Sequence, residues 1–202
     1  MKIGPKYKIA RRLGAPVFEK TQTQKFALGE GRKQKKGFSR PKTDFGLQLN
    51  EKQKARMFYG VTEKQFAKYV KEALKNTGAP KETLLRTLEE RLDNVVWQAL
   101  LAPTHMAARQ AVAHGHFLVN GRRVYVPSYR VKMGDKISIR EGSRKSPMFT
   151  HLDNTEKGET RQIPAWLTWD NSKKELLVKT ASAADAPNLM FDLGQVIEYY
   201  QR

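Results

Sequence analysis

The fold is decided by residues 88–141, which read LEERLDNVVWQALLAPTHMAARQAVAHGHFLVNGRRVYVPSYRVKMGDKISIRE. Leucine, valine and alanine recur at helical spacing at the start of this segment and just before it, which predicts one helix over residues 84–100. Pro103 ends that helix. Thr104 is a suitable N-cap for a short further helix, which runs up to Gly115, a residue suited to the left-handed position after a helix.

The pattern changes to a period of two after Gly115, which is typical of strands. Residues 117–119 and 124–126 flank Asn120-Gly121, a strong hairpin signal because a type I′ turn needs positive φ at both central residues. Two more turn-linked pairs of strands are predicted, at residues 129–132 with 136–139 and at residues 166–169 with 176–179. The segment therefore continues as a small, mostly antiparallel sheet.

Upstream of this segment the pattern is helical from residue 50. Asn50 is a plausible N-cap, with Glu51 in the first turn. Thr62 then caps another helix, whose apolar residues follow the spacing of one buried face. These residues are Phe66, Tyr69, Val70, Ala73 and Leu74.

Positive charge is concentrated at the start of the 202-residue chain. The chain has 38 Lys and Arg against 20 Asp and Glu, a net charge of +18, and residues 1–42 hold 13 of the cations but only two of the acids. We interpret this region as an extended arm with little regular structure that folds along phosphates, because nothing within it balances its charge. A merely solvated tail is the alternative.

Composition excludes several classes of function. The chain has no cysteine, which rules out disulfides, cysteine-based zinc sites and a cysteine nucleophile. No apolar run approaches the roughly 18 residues of a membrane span, and the first residues lack the apolar stretch of a signal peptide. A chain this basic favours a polyanionic partner, and nucleic acid fits better than a membrane or a small-molecule substrate.

These patterns together predict an α+β fold in three parts. The parts are a basic N-terminal arm at residues 1–45, a helical domain at residues 46–90 with a C-terminal tail at 181–202 packing back on it, and an RNA-binding module of helices plus a small sheet at residues 91–180, with its core at 91–141.

Two segments resemble the bacterial-type small-subunit ribosomal protein S-four family. One is DFGLQLNEKQKARMFYGVTEKQFAKYV at residues 44–70, and the other is residues 88–141, which resemble the family's RNA-binding module. PAWLTWD at residues 164–170 and the ending FDLGQVIEYYQR are also similar to the family. The module alone occurs in other RNA proteins, but together with EKQKARMFYGVTEKQF it is specific.

The resemblance implies a structural constituent of the small ribosomal subunit rather than an enzyme. Such a protein binds small-subunit (16S) rRNA in its 5′ domain, nucleates assembly and contributes to decoding accuracy. The implied neighbours are ribosomal proteins S-five and S-three, with mRNA near the entry path, in cytoplasmic or organellar ribosomes. The alternatives are a stand-alone RNA-binding factor and an mRNA-binding translational repressor.

Basic and hydrogen-bonding residues are the candidates for rRNA contact, since guanidinium groups fork onto phosphates and aromatic rings stack on exposed bases. In chain order they are Lys6, Arg11, Arg12, Lys33, Lys35, Lys36, Arg40, Lys42, Lys52, Lys54, Arg56, Tyr59, Arg91, Arg109, Gln110, His114, Asn120, Arg122, Arg123, Arg130 and Lys132. We predict no catalytic residue, no metal ligand and no cofactor.

Several candidates have a second role open to them. Lys52, Arg56 and Tyr59 would share one helix face, yet Tyr59 could instead pack in the core. Asn120 could serve only its turn, and Arg109 could pair with an acid.

Two further candidate regions have alternatives of their own. Arg91 could touch RNA or orient Asp93. Arg130 and Lys132 alternate on a predicted strand, where they could contact RNA or simply form a solvated face.

The chain departs from the family pattern at two points. Several members bind zinc through cysteines in the arm, which this chain lacks, and many have arginine where His105 stands. The His114-Gly115-His116 run does not complete a metal site. The Arg91-Leu92-Asp93 run resembles the catalytic motif of pseudouridine synthases, but too little chain follows it for their catalytic domain.

Overall fold

The computed structural model describes residues 3–31, 43–76, 78–149, 163–170, 172–180 and 189–202, and the structural statements below refer to these residues. The chain forms two compact units, Met1–Leu84 with Pro187–Arg202 and Leu85–Ala186. The proposed domain boundaries at residues 45, 90 and 180 stay predictions.

The described residues contain nine helices and five strands. The helices are α1 (Lys6–Leu13), α2 (Gln24–Gly31), α3 (Asp44–Phe58), α4 (Glu63–Lys75), α5 (Pro80–Glu89), α6 (Leu92–Gln98), α7 (His105–Ala113), α8 (Glu141–Arg144) and α9 (Leu193–Gln201), with a 3-10 turn at Glu19–Thr21. The strands are β1 (Phe117–Val119), β2 (Arg122–Arg123), β3 (Lys136–Ile139), β4 (Leu167–Asp170) and β5 (Glu175–Val178). The α+β prediction is confirmed.

The prediction of little regular structure in the arm is wrong for residues 6–31, which form α1, the 3-10 turn and α2. A small core of their own orders them, formed by Ala10, Leu13, Ala15, Val17, Phe18 and Phe26. Cations lie over its rings, with Lys6 Nζ 5.6 Å from the centroid of Phe18. The apolar residues suffice to fold a segment whose charge dominates its sequence pattern.

The predicted start of α3 at Asn50 is wrong. The helix begins at Asp44, and the Thr43 side chain accepts a hydrogen bond from the Gly46 N–H. Asn50 lies inside the helix, where its Nδ2 donates to the Leu13 carbonyl at 3.0 Å. A side chain suited to capping is used here for a tertiary contact.

The Thr62 cap of α4 is confirmed, because its hydroxyl accepts from the Gln65 N–H. Phe66, Val70 and Ala73 form the buried face of that helix. The C-terminal helix α9 packs on α3 and α4, and the Asp192 N–H donates to Glu51 Oε2 at 3.0 Å.

The single helix predicted over residues 84–100 is wrong, because the chain breaks between α5 and α6. Arg91 is extended and forms an antiparallel bridge with Arg130. The Val131 N–H donates to the Glu90 carbonyl at 2.8 Å, and the Leu92 N–H to the Tyr129 carbonyl at 2.9 Å. Backbone pairing with a distant loop thus replaces one helical turn.

The five strands form an antiparallel sheet in the order β2-β1-β3-β5-β4. The Asn120-Gly121 turn is confirmed, with φ of 51° and 76°. Two strand predictions are wrong: β2 is Arg122–Arg123 rather than residues 124–126, and residues 129–132 contribute only the isolated bridge.

One core joins α6, α7 and the sheet in the second unit. Its members include Val96, Val112, Phe117, Ile137 and Trp166, all almost fully buried. The Thr104 cap of α7 and the left-handed Gly115, with φ of 67°, are confirmed. The core fixes the end of α7 against the β1–β2 hairpin. Within the described ranges, every helix is too short or too polar to cross a bilayer.

Candidate nucleic-acid interface

The β1–β2 hairpin brings Arg123 across the C-terminal end of α7. Its Nε donates to the Gly115 carbonyl at 2.9 Å, and its Nη2 donates to the His114 carbonyl at 3.0 Å. Helix C-termini carry unpaired carbonyls and partial negative charge, so a guanidinium is well placed there. The side chain is exposed yet held in one position.

Gly115 makes this arrangement possible. A Cβ at that position would lie 2.4 Å from Arg123 Nε and 2.7 Å from Tyr125 Cε1, and the backbone has positive φ. Only glycine satisfies both the conformation and the close approach.

Two arginines and two histidines gather around this end of α7. Burial lowers the pKa of His116, and the nearby charges of His114, Arg123 and Arg140 lower it further. We call these four residues, His114, His116, Arg123 and Arg140, the basic corner. The permanent positive charges of Arg123 and Arg140 favour an anionic ligand there, and a bound phosphate would favour the protonated imidazoles as well.

Two residues predicted to contact RNA, Arg91 and Arg109, are instead bound to Asp93 in a buried ionic cluster. Asp93 accepts from Arg91 Nη2 and from Arg109 Nη2, each at 2.7 Å. The side chains of Arg91 and Asp93 are 3% and 5% exposed, and that of Arg109 is 22% exposed. Arg91 therefore orients Asp93 rather than facing RNA, and Arg109 pairs with an acid, the alternatives named above.

Asn120 and Arg130, two further predicted RNA contacts, are also hydrogen-bonded within the protein. Asn120 Nδ2 donates to Asp135 Oδ1 at 2.8 Å, while its Oδ1 accepts from the Lys136 N–H at 2.9 Å, so its amide pins the turn. Arg130 Nε donates to Glu90 Oε2 at 2.7 Å. Lys132 is exposed, and so are Gln110 and Arg122. The predicted strand face for Arg130 and Lys132 does not exist.

In the first unit, the predicted face of α3 points inward. Lys52 Nζ donates to Glu63 Oε1 at 2.9 Å and lies 4.3 Å from the Tyr199 ring centroid. Arg56 lies 3.5 Å from Glu63, and Lys54 pairs with Glu51 at 2.6 Å. Acids of the protein hold all three cations in the described structure, and RNA contact by Lys52, Lys54 and Arg56 stays a prediction.

The prediction that Tyr59 contacts RNA is corrected, since its ring is 2% exposed and packs edge-on against Phe58.

The Glu63 carboxylate is held by several hydrogen-bonding and charged partners. Burial raises the pKa of its carboxyl, but hydrogen bonds from Lys52 and Tyr200 outweigh that effect and lower it. Burial and the Glu63 hydrogen bond raise the pKa of Tyr200 far above its usual range.

In the arm, Arg11 and Arg12 are exposed and Lys6 is half-buried against Phe18. The remaining arm candidates lie outside the described residues. They are Lys33, Lys35, Lys36, Arg40 and Lys42.

The structure adds three residues to the candidate interface that sequence reasoning missed. His116 and Arg140 belong to the basic corner, and the exposed ring of Tyr125 lies under Arg123. Their places in the sequence offered little indication of a shared site, because His116 follows a glycine, Arg140 follows β3 and Tyr125 follows the β1–β2 hairpin. Only the fold brings them together. In the described ranges, no group of His, Asp and Glu side chains is arranged to hold a metal ion.

His105 does not reach this corner. Its ring stacks on Trp97 with centroids 3.7 Å apart, and its Nε2 lies 3.2 Å from Asn94 Oδ1. The residue that differs from the usual arginine is thus fixed within the module.

Two family models match the chain in succession. Residues 1–89 match the N-terminal domain of ribosomal protein S4/S9, and residues 90–137 match the S4 domain. Curated relatives extend the match to almost the full length.

The protein is 47% identical to the small ribosomal subunit protein uS4 of Persephonella marina, over 98% of this chain and 97% of that one. It is 41% identical to uS4 of Cutibacterium acnes, over 98% of each chain. It is 44% identical to uS4 of Dinoroseobacter shibae, over 96% and 95%. The chain therefore belongs to the ribosomal protein S4 family, as its two characteristic segments indicate.

Proposed function

We propose that the protein is a structural, rRNA-binding component of the small ribosomal subunit. The observation that carries the proposal is the similarity over nearly the whole length to proteins named as small-subunit components. A shared module alone would support only RNA binding, whereas the helical first unit matches as well.

The exposed cations support the RNA-binding part of the proposal. The basic corner offers two guanidiniums and two imidazoles on one edge of the second unit, and Arg122, Gln110 and Lys132 are exposed nearby in sequence. Groups of this kind contact phosphates without reading bases. The buried or paired candidates, from Lys52 to Arg109, support the fold and take no direct part in the proposed surface.

A non-enzymatic role fits the state of Asp93. This carboxylate is 5% exposed and receives hydrogen bonds from two arginines. A catalytic aspartate must reach its substrate, and this one is enclosed by its own partners. The proposal therefore excludes the pseudouridine-synthase reading of the Arg91-Leu92-Asp93 run.

Finer features of the proposal rest on the family resemblance. They are binding in the 5′ domain of 16S rRNA, a role in nucleating assembly and in decoding accuracy, a position beside ribosomal proteins S-five and S-three near the mRNA entry path, and a cytoplasmic location.

The test is to fractionate a native lysate on a sucrose gradient and follow the protein with and without a high-salt wash. We expect it to stay with the small subunit through the wash, because a structural component is enclosed by folded RNA. A protein that runs free, or that leaves at modest salt, would instead be a stand-alone RNA-binding factor or an mRNA-binding repressor.

A further inference from the structure

Tyr125 is a large aromatic residue that the fold leaves half outside. It lies two residues after the end of β2 and is 52% exposed, and the next residue, Val126, is 54% exposed. An aromatic ring normally gains stability by burial. A ring left open on an edge rich in cations points to a ligand that covers it.

The ring is nevertheless firmly placed. The Arg123 guanidinium lies 4.6 Å from its centroid, and Arg123 is itself held by the carbonyls of His114 and Gly115. The missing side chain at Gly115 leaves room for the ring edge. A preorganised ring loses little freedom when a flat ligand stacks on it.

The surrounding charge selects the ligand. Arg123 lies on the ring, its Nη2 donates to the His114 carbonyl, and Arg123 and Arg140 both act electrostatically on His116. A ligand that covers the ring must therefore be flat, apolar on its face and joined to negative charge. An unpaired nucleotide has this chemistry, because its base stacks while its phosphate meets the cations.

We propose that Tyr125, positioned by Arg123, is a stacking residue for an unpaired base of the bound RNA. The proposal rests on the proposed function, since it assigns a contact within that RNA-binding surface. It makes Tyr125 a contact residue and Arg123 both a phosphate contact and a positioning residue.

The test measures affinity of the full-length protein for a small-subunit rRNA transcript over a range of salt. Tyr125→Leu keeps an apolar side chain but removes the ring, and should weaken binding by about 5- to 150-fold, the range found for one stacked base. The salt dependence should not change, because no charge is lost. Tyr125→Phe should bind like the native protein.

Phe45 supplies the matched control. It is 48% exposed and lies 5.5 Å from the Tyr199 ring, next to Asp44 on α3 rather than among cations. Phe45→Leu should leave RNA affinity unchanged. In an Arg123→Ala background, Tyr125→Leu should still weaken binding, but less than in the native protein, because the ring has lost its positioning partner and kept its stacking face. A ring that only holds Arg123 would then have no effect at all.

Binding to oligouridylate, measured beside binding to the rRNA transcript, distinguishes failure of the stacking role from failure of the proposed function. Equal affinity of Tyr125→Leu and native protein for the transcript overturns the stacking role and leaves the proposed function standing. Loss of the Tyr125 effect in the Arg123→Ala background also overturns it. If the native protein binds oligouridylate in a Tyr125-dependent way but not the transcript, the stacking role stands and the proposed function falls. Binding to neither overturns both.

Discussion

The surroundings of His116 disfavour its protonated form. Its Nδ1 lies 2.9 Å from Ser143 Oγ, and its ring meets the Phe149 ring edge-on. Burial is the largest cause of its lowered pKa, followed by the charges of His114, Arg123 and Arg140. The folded protein therefore takes up a proton at this position less readily than the unfolded chain does.

We predict a pH dependence of stability from this difference. The unfolded imidazole has a pKa near 6.5 and the folded one a lower pKa, so the unfolded state binds more protons as the pH falls. Stability should be full above about pH 6.5 and should decline as the pH falls through the lowered native pKa. Urea unfolding without RNA, followed by tryptophan fluorescence at several pH values, measures it.

His116→Gln is the variant that isolates this effect. It removes the titrating group while keeping a hydrogen-bonding side chain, so the loss of stability below pH 6.5 should be smaller than in the native protein. His114→Gln, which removes one of the charges that lower the His116 pKa, should reduce the decline less than His116→Gln does. An equal decline in native protein and His116→Gln would show that other groups control stability there.

The features predicted correctly at this scale are local. Thr62 and Thr104 cap their helices, and Asn120-Gly121 forms its turn, because each depends on a few neighbouring residues. The site residues were harder to predict. Arg109 lies near Asp93 only because α6 and α7 pack together, and sequence spacing does not contain that contact.

At the scale of elements, the buried ionic cluster of Asp93, Arg91 and Arg109, here called the Asp93 cluster, joins α6 to α7. Asp93 lies in the first turn of α6, its Oδ1 accepts from the Asn94 N–H, and Arg109 reaches it from α7. The break at Arg91 lets that side chain fold back on the same carboxylate. The prediction of a single long helix did not include the break at Arg91. Apolar spacing indicates which face is buried, but it does not show a backbone bridge to residue 130.

Asp93→Asn should therefore destabilise the second unit. The change keeps the shape but leaves Arg91 buried without its countercharge, which costs about 3–5 kcal/mol in comparable buried pairs. Urea unfolding measures the loss, and Trp97, Trp166 and Trp169 all lie in this unit.

Glu90→Gln is the matched control for that measurement. It removes the partner of Arg130, whose side chain is 55% exposed while that of Glu90 is 14% exposed, so the loss should lie nearer to the roughly 0–1 kcal/mol of surface pairs than to that of a buried pair. Similar losses in the two variants would mean that the Asp93 cluster does not stabilise the link between α6 and α7.

At the scale of the molecule, the described cations fall into those that acids of the protein hold and those that stay exposed. Acids of the protein hold Lys52, Lys54 and Arg56 in the first unit, and Asp93 holds two arginines in the second. The exposed cations and the basic corner remain available to solvent. Net charge thus predicted the class of partner, whereas the set of contacting residues depends on which cations the fold has already paired.

RNA affinity should consequently depend steeply on salt. If about eight phosphates are contacted, affinity for a small-subunit rRNA transcript should fall roughly 10³- to 10⁵-fold between about 50 and 200 mM salt, because each contact releases counterions.

Arg140→Ala should reduce the slope of log affinity against log salt by about 1. Lys71→Ala, which removes an exposed cation of α4, should leave it unchanged. Filter binding across the salt series measures all three proteins. A flat native response would contradict phosphate contact as the source of affinity, because each contact releases counterions. Equal slopes for Arg140→Ala and the native protein would place the phosphate contacts away from Arg140, since a residue that meets phosphate must contribute its share of released ions.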